Sequence, residues 1–230
     1  MIKRRITNLK ITFFIAIAIL LSVCSFLIFQ NKTFKYCNNE RELLGINDTL
    51  KEINLNLKQN KEKLIEDIDN QYNYDISDKL LKFKIKLSND QFIGMSVLRM
   101  EKYFYCGFHT KVIFINRNNQ LLLEEQLIEK EKVKNTIYNL LLSQNYYDRF
   151  NLSLEWERTS SLQTIEYVLI QIKEAYQLYY QTKAKEKFNK NICELNEEEL
   201  SEINQLSYSL IITKTYLDRI PPPPPPIRKY

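Results

Sequence analysis

Histidine, glycine and proline are scarce in this chain. Among 230 residues there is one histidine, His109; the glycines number three, and the six prolines all sit in the run Pro221–Pro226. So few glycines leave little material for a phosphate-cradling loop, and no G-x-G-x-x-G, P-loop, G-x-S-x-G or H-E-x-x-H pattern occurs. His109 lies three residues after Cys106, but a Cys/His nucleophilic pair needs a third group to orient the imidazole. A metal held by the same two residues needs two further ligands, and the other cysteines offer no paired spacing. No catalytic, cofactor-binding or metal-ligating residue is therefore assigned, no cofactor is expected, and the chain reads as a non-enzyme. Positive charge is not spread broadly either. Of the net +5, the N-terminal stub supplies four basic residues, which disfavours nucleic acid as a partner.

One long apolar run is present. Ile11 to Phe29 holds no charge, proline or glycine, and its length matches the hydrocarbon core of a bilayer at about 1.5 Å per residue. Lys3, Arg4, Arg5 and Lys10 precede it without an acid, and the residues after it are mixed in charge. The positive-inside rule then places the N-terminus in the cytoplasm and the remainder across the membrane. A cleaved signal peptide, or a lipoprotein signal ending at Cys24, reads the same run differently. No small-x-small site follows Phe29, however, and Val23 is large where a lipobox wants a small residue. Cys37, Cys106 and Cys193 lie beyond the span, and an oxidising compartment permits one bridge among them, of unspecified pairing.

From Glu42 to Asn70 the periodicity predicts one amphipathic helix. Leu43, Ile46, Leu50, Ile53, Leu57, Asn60 and Leu64 follow alternating steps of three and four, an a/d seam with one Asn at an a position. Three occupants suit that seam: the protein's own domain, a second copy in a parallel dimeric coil, or another membrane protein. Lys79–Leu87 alternates with Leu81, Phe83, Ile85 and Leu87 on one face, the pattern of a half-buried strand. Further strands are predicted at Phe92–Leu98, Tyr103–Phe108 and Lys111–Ile115, the last turning at Asn116–Asn119 into a hairpin with Gln120–Leu123. Glu129–Ser143 reads as a helix with Val133, Ile137, Leu140 and Leu141 on one face. Asn151–Glu157 reads as a strand, and Thr159-Ser160 as the cap of a long helix running to about Asn189. A short acidic helix capped by Asn196 and a last strand, Tyr208–Thr213, complete the pattern. Tyr176, Tyr179 and Tyr180 cluster on the long helix in the manner of core or interface residues. Pro221–Pro226 forces polyproline II, either as a solvated end or as a docking peptide for an aromatic groove.

Val112 to about Leu206 resembles the exported domain of the ExbD/TolR family. The residues that carry the likeness are Val112–Gln120, the helix around Val133–Ile137, Leu152–Ser160 leading into Ile172–Tyr176, and Ala184–Phe188 with Leu195–Glu199. The resemblance implies a single-span partner of an ExbB/TolQ-like channel protein in an inner-membrane motor. Family members carry an aspartate in the span for proton passage, whereas Ile11–Phe29 contains no Asp, Glu, Lys, Arg or His.

The expected organisation is a cytoplasmic stub (1–10), a transmembrane helix (11–29), a linker with the amphipathic helix (30–78), an exported α+β domain (79–217) and a proline-rich tail (218–230). The expected role is an accessory or divergent ExbD/TolR-like subunit in the inner membrane with a periplasmic domain, acting as a homodimer. The alternative is a bitopic coiled-coil scaffold.

Overall fold

Alternating apolar residues at period two build most of the sheet, because successive side chains on a strand point to opposite faces. The computed structural model describes residues 36–59, 61–72, 80–98, 109–143, 150–204 and 210–213. The expected span, the Tyr103–Phe108 strand, Cys106, Asn60 and the proline-rich tail lie outside these residues. Among the described residues no helix is long and apolar enough to cross a membrane. The chain divides into two units, Met1–Cys37 and Asn38–Tyr230, and the α+β fold belongs to the second.

Its strands are β1 (Glu52–Ile53), β2 (Leu80–Lys86), β3 (Phe92–Leu98), β4 (His109–Ile115), β5 (Leu121–Leu123), β6 (Gln126–Ile128), β7 (Phe150–Trp156) and β8 (Leu210–Thr213). They form one sheet in the order β1-β2-β3-β8-β7-β4-β5-β6. The central strands β3, β8, β7 and β4 are mutually parallel, whereas β2/β3, β4/β5 and β5/β6 are antiparallel hairpin pairs. Following the register across the sheet places Leu81, Phe83, Ile85, Ile93, Met95, Val97, Leu152, Leu154, Ile113 and Ile115 on one face, all buried. Each such side chain contributes roughly 1.5–3 kcal/mol by leaving water. The opposite face is lined at its centre by Gly94, Ser96 and Ser153, also buried.

Parallel neighbours need crossovers, and two helices supply them. Helix α3 (Val133–Leu142) joins β4/β5/β6 to β7, and α4 (Leu162–Phe188), followed by α5 (Glu197–Ile203), joins β7 to β8. Helices α3 and α4 are tied by Tyr138 Oη and Thr182 Oγ1 at 3.0 Å and by the Lys134–Glu174 ion pair. Ser161 caps α4 by accepting from Thr164 N–H, and Asn189 ends it in the left-handed conformation. Asn196 and Glu199 form a capping box on α5.

The stretch expected as one helix and as a linker is neither. Helix α1 (Asn38–Leu43) stops at Gly45, where φ is 63°. Asn47 Oδ1 then accepts from Thr49 Oγ1 and from Leu50 N–H, a local turn that competes with helix. Next come β1, parallel to β2, and a separate helix α2 (Lys61–Tyr72). Leu43, Ile46, Ile53, Leu57 and Leu64 are buried in the domain's core and Leu50 is half-buried, so they form no seam along one helix. Trp156 Nε1 donates to Leu57 O at 2.9 Å and Lys84 Nζ to Asn47 O at 3.0 Å. Residues 38–72 thus belong to the folded domain.

Candidate functional site

Sequence reasoning left Cys37, Cys106 and Cys193 open; Cys37 and Cys193 are disulfide-bonded, their sulfurs side by side. Next to this bridge, Asn39 Nδ2 donates to both Ile192 O and Leu195 O at 2.9 Å. Gln177 Nε2 donates to Glu40 Oε1 at 2.9 Å, which ties α1 to α4. With both sulfurs bonded, this corner offers no thiolate nucleophile. His109 opens β4, and Cys106 lies outside the described residues.

Tyr176, Tyr179 and Tyr180 are buried core residues, with the Tyr179 and Tyr180 rings edge-to-face at 5.5 Å between centroids. Burial pushes the Tyr176 hydroxyl up and that of Tyr179 up to about 12, so both stay neutral. Lys173, which the sequence did not single out, is fully buried beside them on α4. Its Nζ donates to Gln91 Oε1 at 2.7 Å and to Phe92 O at 3.4 Å, fastening α4 to the start of β3. Desolvation lowers its pKa to about 8, partly countered by Glu174.

The β5–β6 hairpin has a different character, because it forms one end of the sheet of described strands and its residues 124–127 are exposed. Leu123 pairs with Gln126, so Glu124 and Glu125 make a two-residue turn with φ of 49° and 68°. Such type I′ turns favour Asn-Gly, since left-handed backbone is costly for residues with a Cβ. Glu124 is partly compensated: Val112 N–H donates to its Oε1 at 3.0 Å and Lys111 Nζ to its Oε2 at 3.0 Å. The Val112 bond, with Lys111 in support, holds the Glu124 carboxyl below the usual range against a smaller opposing cost of burial. Leu127, at the middle of β6, is 68% exposed. Register aligns it with half-buried Leu122 and Phe114, an apolar row that reaches the sheet edge. Leu-Leu-Leu-Glu-Glu-Gln-Leu-Ile carries the alternation of such a hairpin, but Glu-Glu is not a turn signal and concealed it.

No family model, curated protein or solved structure matches this chain.

Proposed function

We propose that this protein is a non-enzymatic, single-span envelope protein whose exported domain works by binding other proteins, as an accessory or divergent ExbD/TolR-like subunit of an inner-membrane transport or motor complex. The observation that carries the reading is the Cys37–Cys193 disulfide. Disulfides persist in oxidising compartments, which agrees with export of the domain behind the basic N-terminal stub. The segments that resemble the family correspond to the β4–β5 hairpin, α3, β7 and the crossover helix α4, in that order. Interaction is further favoured by the solvent-facing hairpin edge with its exposed Leu127. Ile11–Phe29 lacks the aspartate that family members carry in the span, so the reading is of an accessory or divergent subunit.

The test is purification of the tagged full-length protein from native membranes in mild detergent, with mass spectrometry of what accompanies it. Recovery of a multi-span ExbB/TolQ-like channel protein is the expected result. Recovery of cell-division or wall-synthesis proteins instead, or of the chain alone, overturns the motor-complex reading.

A further inference from the structure

We infer that the β6 edge is a docking site for an extended partner segment that has an apolar residue flanked, two positions away on each side, by lysine or arginine. The inference rests on the reading of this domain as a protein-binding module and adds where the partner docks and what it looks like. Glu124 N–H donates to Val112 O at 3.2 Å and Asn116 N–H to Gln120 O at 3.1 Å. In an antiparallel ladder the hydrogen-bonding direction alternates, so Leu122 bonds toward β4 while Leu121 and Leu123 bond toward β6. Leu127, opposite Leu122, therefore directs its N–H and C=O away from β5, at a sheet end that no other described strand pairs with. An added strand would take up that donor and acceptor, and its apolar side chain would extend the row Phe114–Leu122–Leu127.

Charge selects the occupant. Leu127 is flanked at two residues on either side by Glu125 and Glu129, both exposed. Glu129 pairs with Lys132 at 2.9 Å, but both side chains are about two-thirds exposed, and such pairs exchange at little cost. A second copy docked by two-fold symmetry about Leu127 would set Glu125 against Glu129 of the other copy at both ends. Like charges directly opposite destabilise a strand pair, so the edge repels itself and suits a basic segment.

The probe is a fluorescent peptide, Thr-Lys-Val-Leu-Val-Lys-Thr, titrated into the full-length chain in detergent and followed by anisotropy. Expected are saturable binding that weakens with salt, a loss of at least about tenfold in Glu125→Lys/Glu129→Lys, and a similar loss in Leu127→Asp. Leu127 is exposed, so both variants should keep the parent's unfolding midpoint. Replacing both peptide lysines by glutamate should abolish binding, and the Leu127 amide should exchange more slowly with peptide bound. No saturable binding, binding indifferent to the edge variants, or self-association through Leu127 overturns the inference. If the peptide fails while a channel protein co-purifies, only the docking site falls. If the peptide binds at the edge and no channel protein co-purifies, the motor-complex reading falls and the docking site stands.

Discussion

Lys173 carries a cost that pH can reveal. Its pKa is about 8 in the folded chain, because burial disfavours the ammonium, and close to 10.4 unfolded. Below pH 8 both states hold the proton and this group gives no slope. Between about 8 and 10.4 the unfolded state binds more protons, so stability rises with pH. Tyr179 acts in the opposite sense: it keeps its proton to about 12 when folded but loses it near 10 when unfolded, so stability falls as pH passes 10. Urea midpoints measured from pH 7 to 11 should therefore climb from 8, peak near 10 and decline, and Lys173→Met should remove the climb. A flat wild-type profile between 8 and 10, or an unchanged climb in the variant, would refute the assignment. At the hairpin, Glu125→Gly should relieve left-handed strain and raise stability by about 1 kcal/mol, read by thermal unfolding, while removing a charge that the docking edge uses. At this scale the sequence was legible where a residue's chemistry is local: Asn196 caps α5 as expected, and the α4 cap falls on Ser161, one residue past the expected pair. Lys173 was overlooked although the period places it on the buried face, four residues after Leu169 and three before Tyr176, because a lysine is rarely fully buried.

Strand elements read well because burial on one face imposes period two, as in Leu81, Phe83, Ile85 and Leu87. The Glu42–Asn70 stretch did not, and the reason is physical: leucines spaced by three and four residues satisfy a helix seam, but they satisfy a core approached by separate short segments equally well. Gly45 and Asn47 were the discriminating residues, since a left-handed glycine and an Asn-bonded turn stop α1 whatever the apolar spacing beyond. The two accounts differ in outcome for Leu57→Asp. In a coil the substitution would separate helices and leave the domain folded; in this fold it places a carboxylate in the core, where Leu57 is 4% exposed. The expectation is loss of cooperative unfolding, or destabilisation by more than about 3 kcal/mol, seen by circular dichroism. A variant with native stability and altered oligomeric state would restore the seam. Gly94 tests the same packing from the sheet side, because a Cβ there would lie 2.4 Å from Leu44 O and 2.6 Å from Gly45 O. Both neighbours are backbone atoms that cannot rotate away, so Gly94→Ala should cost about 1–3 kcal/mol in a denaturant titration.

For the molecule as a whole, order along the chain and order in the sheet diverge, and this limited what the sequence could say. Strand β8, the last of the described strands, lies between β3 and β7, and the turn containing Cys193 comes back to the residue just before α1. Cysteine spacing encodes no such return, which is why the pairing was open until the fold was known. Closing so long a loop restricts the unfolded chain far more than the folded one, and bridges of this kind contribute about 2–4 kcal/mol. Reduction of the purified protein, or Cys193→Ser, should lower stability by that amount in a denaturant titration, with no further loss when the variant is also reduced. The same pair reports on topology. Thiol labelling of unfolded protein from membranes quenched in acid should find Cys37 and Cys193 unreactive until a reductant is added, as an oxidising compartment requires. Free thiols at both positions in native membranes would put the domain on the reducing side, and the basic residues before Ile11 would then have been misread as a cytoplasmic signature.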